Sequence, residues 1–244
     1  MPRVGIDFEL ARVQHRLYDK TLNELGCKVF SLAADPQFPD SVFVEDTAIV
    51  LDEIAIIARP GVASRQPETA SIARTLGEYR QLKFIEPPGT LEGGDVLRLG
   101  KMLYVGLSGR TNESGTDQLR SFVAPYGYSV KLVEVSGCLH LKSAVTQIGP
   151  DLLLINPEWV SKAHFKHAGF IEIDPEEPFA ANGLLVGTTV IYPGSFPRTK
   201  RRMEEQGVTV AEIDISELQK AEGAVTCCSL VFTAPPDISV LRRS

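Results

Sequence analysis

Five residues able to do chemistry stand at nearly equal separations along the chain. Glu45, Glu92, His140, Asn182 and Cys227 are separated by 47, 48, 42 and 45 residues, and each heads a stretch of apolar pairs joined by a short polar turn. A thiol, an imidazole and a carboxyl group are the parts of a nucleophile, a general acid/base and a group that orients it. A cysteine in an apolar segment is by itself more often inert core than a nucleophile. His140 and Glu92, at the equivalent places two and three units earlier, are what favour the catalytic reading of Cys227. Its neighbour Cys228 must point to the opposite face if the segment is a strand, so one of the two thiols faces the partners.

A second cluster lies in Asp40-Ser-Val-Phe-Val-Glu-Asp. Read as a strand, it sets Asp40, Phe43, Glu45 and Asp46 into an anionic cup walled by an aromatic ring, suited to a planar delocalised cation such as a guanidinium. Glu92-Gly-Gly-Asp95 reads as a turn whose glycines supply positive φ. It lacks the Lys-Ser/Thr of a phosphate loop and the GxGxxG of a dinucleotide site, so nucleotide chemistry is not expected. His15 falls in a helix, and His164 and His167 lie beside Lys162 and Lys166 on what reads as a solvated face. None has metal-ligand spacing, and no resident metal is expected; an inhibitory ion on Cys227, His140 and the Glu45/Asp46 pair is the one metal reading the residues offer.

The elements that must carry these residues repeat as well. Period-2 apolar pairs predict hairpins over 42–57, 95–105, 139–155, 184–192 and 224–241. Between them, helical spacing predicts helices over 10–25, 68–76, 116–124, 158–167 and 199–206, each followed by a short strand, at 28–32, 83–85, 130–135, 170–173 and 208–213. The first helix carries Leu10, Val13, Leu17 and Leu25 on its expected buried face and meets Gly26 as a left-handed cap. Five such units closing into a ring would bring the five hairpin heads near one axis. In the last unit, Ile238-Ser-Val-Leu-Arg is expected to supply a closing strand in a circularly permuted connectivity.

The composition is that of an ordinary globular chain: 244 residues, 43% hydrophobic and 23% charged, with a net charge of -6. No linker or low-complexity segment divides it, so one domain over 1–244 is expected. A mildly acidic chain has no global field for nucleic acid or an anionic membrane surface; a cationic small molecule suits it better. The start of the chain has no secretory pattern, and the longest uncharged run, 179–197, is broken by glycine and proline. A cytoplasmic protein with four reduced cysteines and no membrane span is expected.

Several segments resemble the guanidino-group-modifying superfamily, whose fold is a five-bladed α/β propeller (pentein), and within it the dimethylarginine dimethylaminohydrolase family. They are Phe38-Pro-Asp-Ser-Val-Phe-Val-Glu-Asp-Thr, Ala58-Arg-Pro-Gly-Val-Ala-Ser-Arg, Gly89-Thr-Leu-Glu-Gly-Gly-Asp-Val, Val105-Gly-Leu-Ser-Gly-Arg-Thr-Asn, Leu139-His-Leu-Lys-Ser and Gly223-Ala-Val-Thr-Cys-Cys-Ser-Leu. The resemblance implies Cys227 as nucleophile, His140 as general acid/base and Glu92 as catalytic carboxylate. It implies Glu45 and Asp46 on the guanidinium, Phe43 lining the pocket, Asp40, Arg65 and Arg110 at the amino-acid end of the substrate, with both arginines on its carboxylate, and Ser143 among the binding residues. The implied reaction releases citrulline from a methylated arginine through a covalent thiouronium, with no cofactor, and a homodimer is an assembly it allows. An arginine deiminase-like hydrolase, an amidinotransferase and a non-catalytic binder of arginine derivatives are the alternatives. The family's usual first strand, with the loop that covers the site, has no counterpart before the first helix of this sequence, so substrate closure is left open.

Overall fold

The structure, a computed structural model, describes residues 5–234. Helix α1, Phe8–Glu24, begins where the Asp7 carboxylate accepts the Leu10 N–H, and the chain leaves it through Gly26 at φ +89, as expected. Its buried face is different from the expected one: Gln14, Tyr18 and Leu22 are buried, while Leu10, Val13 and Leu17 are 40%, 41% and 48% exposed. The physical reason is that the polar groups on the buried face are paired. Gln14 donates to Ser216 Oγ at 2.8 Å and accepts from the Glu217 N–H at 3.0 Å, and the Tyr18 hydroxyl donates to the Val225 carbonyl at 2.9 Å. Apolar periodicity cannot see a stripe whose polar atoms are satisfied.

Four small sheets follow, each an antiparallel hairpin extended by one parallel strand. In the first, β1 (Ala48–Val50) pairs with β2 (Ile54–Ile57), and β3 (Gln81–Phe84) joins β2 after helix α2 (Thr69–Leu76). The second has β4 (Val96–Leu99), β5 (Met102–Leu107), helix α3 (Glu113–Val123) and β6 (Ser129–Glu134) in the same relation. After the short helix α4 (Leu141–Ala144), β7 (Val145–Gly149), β8 (Leu152–Ile155) and β9 (Gly169–Glu172) form the third. The fourth is β10 (Leu184–Val186), β11 (Thr189–Pro193), helix α5 (Pro197–Glu205) and β12 (Thr209–Ile213), followed by α6 (Ser216–Gln219). A parallel neighbour needs a crossover, which is why a helix or long loop separates each hairpin from its third strand.

Three expected elements do not form among the described residues. The 158–167 helix is reduced to a 3₁₀ turn, Lys162–His164. Asn156 Oδ1 accepts the Glu158 N–H at 2.9 Å, and His167 stands at φ +71, so local side-chain bonding and a left-handed residue interrupt a helix there. In the fifth unit neither 28–32 nor 224–234 is in a ladder, and 225–228 is a turn. Leu230 and Phe232 instead pack against Ala48, Ala55, Ile57, Ile72 and Leu76 of the first sheet and its helix. The expected closing strand at 238–242 lies outside the described residues.

The chain was expected to make one domain, and its described residues fall into two compact units, each discontinuous in sequence. One holds the residues up to Ser31 with Lys142–Thr226; the other holds Leu32–Leu141 with the residues from Cys227 onward. The first has a core around Leu154, Ile171, Val190, Tyr192 and Met203; the second has one around Leu51, Ile54, Leu91, Leu103 and Leu119. Among the described residues no sheet closes on itself and no helix is long and apolar enough to cross a membrane. Tyr18→Phe removes the buried bond to the Val225 carbonyl and is expected to lower stability by about 1 kcal/mol in denaturant titrations; an unchanged midpoint would show that the hydroxyl contributes nothing.

Candidate active site

Most of the sequence-nominated residues fall in the unit built from Leu32–Leu141 and the residues from Cys227 onward. Glu45 and Asp46 do not alternate on a strand as expected. They sit in a 3₁₀ turn, Val44–Thr47, immediately before β1, closed by the Thr47 hydroxyl donating to the Val44 carbonyl at 2.7 Å. A turn of this pitch lets two consecutive carboxyls be buried together, and they are 6% and 4% exposed. Phe43 is half-buried at the head of the turn, whereas Asp40 is exposed. The Glu45 N–H donates to the Cys227 carbonyl at 3.1 Å, which ties the thiol-bearing residue to this turn.

Glu92 precedes a second 3₁₀ turn, Gly93–Asp95, just before β4, and has no exposed surface. Its Oε1 accepts the Gly61 N–H at 2.9 Å and lies 3.5 Å from Arg110 Nη1; its Oε2 meets His140 Nε2 at 2.6 Å. The glycines of this turn do not supply positive φ, contrary to expectation. They supply space. A Cβ on Gly94 would stand 2.8 Å from Asp46 Oδ1 and 2.9 Å from His140 Cγ, and one on Gly93 only 2.0 Å from the Glu45 carbonyl oxygen.

His140 precedes α4 and is 6% exposed. Its Nε2 also lies 3.8 Å from Asp46 Oδ1. Burial alone would discharge the ring, but the Glu92 bond and the carboxylates of Asp46, Asp95 and Glu92 overcome it, and the His140 pKa is pushed up from 6.5 to about 9. On Glu92, burial acts upward and is outweighed by the His140 bond and charge, Arg110 and the Gly61 N–H, so its pKa is lowered. The pair therefore holds a proton on the imidazole and a charge on the carboxylate at neutral pH.

Arg65 is buried and heavily engaged. Nη1 meets Asp46 Oδ2 at 2.6 Å, Nε and Nη2 meet Glu68 Oε2 at 3.1 and 2.9 Å, and Nη2 also faces the carbonyls of Asp40 and Phe43 at 3.3 and 3.0 Å. Asp40 thus meets it through its backbone. Arg110 is freer, with 24% of its side chain exposed. Cys227 is half-buried and Cys228 is 8% exposed, so the two thiols differ as expected, though in a turn and not by strand alternation. Ser143 is half-buried in α4 and belongs to the other unit, as does Asn182. There Asn182 Nδ2 donates to the Lys142 carbonyl and to Thr226 Oγ1, both at 3.0 Å, and Oδ1 accepts the Thr226 N–H at 3.1 Å. The fourth hairpin head holds the residue before Cys227.

One donor atom each of Asp46, Glu92 and His140 lies within 4.8 Å of the others. With its proton in place the imidazole has no lone pair on Nε2 to offer a cation, so the cluster is built first to hold a proton. Two further acids of this unit, Asp95 and Glu68, are buried at or below 5% exposure without standing out in the sequence. Asp95 stands in a segment read only as a turn; Glu68 is three residues past Arg65, a helical spacing that pairs a cation with an acid.

No family model matches the chain. It is 39% identical over 228 residues to the N(G),N(G)-dimethylarginine dimethylaminohydrolase of Pseudomonas aeruginosa, covering 93% of this chain and 90% of that protein. It is 38% identical over 229 residues to the protein of the same name from Streptomyces coelicolor, covering 93% and 88%. The solved structure of a cysteine-to-serine mutant of the Pseudomonas aeruginosa enzyme complexed with citrulline matches with a TM-score of 0.91 at 37% identity, covering 95% of this chain and 92% of that one.

The raised His140 pKa makes folding pH-dependent. A group whose pKa rises on folding stabilises fully below its unfolded value and loses that contribution as the pH climbs through the folded one. The melting temperature is expected to fall between pH 6.5 and about 9, and His140→Gln should flatten that part of the curve. An imidazole titration by NMR that places His140 near 6.5 would contradict this.

Proposed function

The chain belongs to the dimethylarginine dimethylaminohydrolase family, and from that premise we propose how its residues divide the hydrolysis of N-methylated arginine to citrulline and an amine. The observation that carries the division is the 2.6 Å bond between His140 and Glu92, two buried groups whose pairing keeps the imidazole protonated before any substrate arrives.

The substrate is a zwitterion with a cationic tail, and Glu45 and Asp46 receive the guanidinium beside Phe43. Carboxylates disfavour a nearby thiolate, so the guanidinium itself, by placing positive charge beside Cys227, favours its ionisation. The thiolate attacks the guanidinium carbon and gives a tetrahedral adduct. His140 passes its proton to the departing methylamine or dimethylamine, the C–N bond breaks, and a covalent S-alkylthiouronium is left on Cys227. The imidazole is now neutral and accepts a proton from water as the oxygen attacks the same carbon; loss of the thiolate yields citrulline. One water is consumed and one amine released, and no cofactor takes part in the sequence. Glu92 keeps the ring in place and favours its return to the protonated form.

At the amino-acid end, Arg110 is the partly exposed cation with a long contact to Glu92, able to turn its fork onto the α-carboxylate. Arg65 has one N–H left on Nη1 after its bonds to Asp46, Glu68 and two carbonyls, and we assign it that single contact. Asp40 takes the α-amino group, and Ser143 completes the binding set. We read the four α/β sheets as blades of a five-bladed propeller forming one catalytic domain, a reading supported by the regular spacing of the hairpin heads and by the likeness of fold along the chain.

Cys227→Ser is expected to abolish citrulline formation while Cys228→Ser keeps most of it; equal loss in two folded variants would sink the assignment. In parallel incubations with dimethylarginine, monomethylarginine, arginine and agmatine, the methylated arginines should turn over fastest. Agmatine lacks the α-carboxylate and leaves the arginine contacts unpaired, a cost of about 2 to 5 kcal/mol. Comparable rates on agmatine would overturn the role of Arg110.

A further inference from the structure

Asp95 has no exposed surface and belongs to none of the roles above. Its Oδ1 accepts the Leu141 N–H at 3.0 Å, and its Oδ2 accepts the Ser108 hydroxyl at 2.6 Å; the Thr111 hydroxyl is near enough to pull its pKa down. The Ser108 hydroxyl, having given its proton to the carboxyl group, keeps its lone pairs for other donors, and the Thr111 hydroxyl has lone pairs of its own to offer. Those lone pairs have partners. Ser108 Oγ accepts the Arg110 N–H at 3.0 Å, and Thr111 Oγ1 accepts the Glu92 N–H at 3.1 Å. The chain of bonds has a single direction, and it ends on the backbone of Arg110 and Glu92. The third bond ends on Leu141, the residue after His140.

We propose that Asp95 is the positioning residue of this site, a buried hub that sets the backbone of Glu92, Arg110 and the His140 segment through two hydroxyls and one amide. A second observation points the same way: Gly106 on β5 clears the space for it, since a Cβ there would stand 2.9 Å from Leu141 Cβ and 3.0 Å from Asp95 Oδ1. Burial raises the Asp95 pKa, and the hydroxyls, the Leu141 N–H and the His140 charge oppose that rise without cancelling it. The proposal rests on the roles given to Glu92, His140 and Arg110, but the bonds themselves do not.

The test separates the arms. Thr111→Val cuts the arm to Glu92 and is expected to lower kcat by about ten- to a hundredfold with KM little changed, because displacement of a catalytic group by a fraction of an ångström has that effect. Thr111→Ser, which keeps the hydroxyl, should restore most of it. Ser108→Ala cuts the arm to Arg110 and should raise KM about tenfold with kcat retained. Asp95→Asn, nearly isosteric, should show both changes and also lose hydrogen-exchange protection at the amides of Glu92, Arg110 and Leu141. If Thr111→Val and Ser108→Ala instead shift kcat and KM alike, or neither, while remaining folded, the hub is refuted. Unchanged exchange at the three amides in Asp95→Asn refutes it independently, and that measurement needs no turnover. A wild-type protein inactive on methylarginines would therefore count against the substrate reading alone.

Discussion

A carboxylate with no surface in water must be matched by donors and charge, or it gives up its ionisation. Glu92 meets that demand with three loops at once. His140 comes from the segment before the third sheet, Gly61 from the loop after β2 and Arg110 from the loop after β5. Bringing three backbones so close to one side chain leaves little room for others. Gly61 cannot carry a Cβ because it would stand 2.7 Å from the Arg110 carbonyl oxygen, and Gly94 cannot because it would meet both Asp46 and His140. The local sequence around the site thus follows from one buried ion pair.

The same burial sets the charge balance. In this unit Glu45, Asp46, Glu68, Glu92 and Asp95 are buried carboxyl groups, and the buried cationic side chains among its described residues are Arg65, His140 and Arg80, with Arg110 at the margin. Arg65 is drawn between Asp46 and Glu68 and its pKa rises further above the ordinary arginine value, the hydrogen bonds and charges of those acids outweighing burial. Around the turn that carries Glu45 and Asp46 acids outnumber cations, and a cation entering there gains attraction in a medium where charges are weakly screened.

Much of this was legible because β-hairpins and crossovers leave marks at short range. Four of the five expected hairpins form, and the parallel third strands appear within a residue or two of their expected places. The failures share a physical cause: bonds made by polar side chains. Gln14 and Tyr18 turn α1 about its axis relative to its apolar stripe, and Asn156 breaks the expected 158–167 helix. Thr47 and its neighbours fold the 40–46 segment into a turn where alternation suggested a strand. Glu92, His140 and Cys227 stand out by residue type and spacing, whereas Asp95 does not. A residue whose partners are two hydroxyls and an amide has no periodicity; its role exists only once Ser108, Thr111 and Leu141 are folded around it.

The heads of the hairpins explain why a repeat can serve chemistry that needs unlike groups. Glu45 and Glu92 stand in or beside a one-turn 3₁₀ segment, and His140 beside the short α4, each immediately ahead of the first strand of its sheet. A strand locked in its ladder fixes the direction of the chain, and the turn before it frees one side chain from the pleat. Position and identity are then separable: the ladder supplies the first and the sequence the second. Asn182 shows the limit of that freedom. At its head of the fourth sheet its amide is engaged in clamping the N–H and hydroxyl of Thr226. The next residue, Cys227, presents its carbonyl to the Glu45 N–H. Cys227 lies in a turn without a ladder of its own, and its carbonyl bond to the Glu45 N–H ties that turn to the one carrying the two buried carboxyl groups, while its neighbour Cys228 is buried.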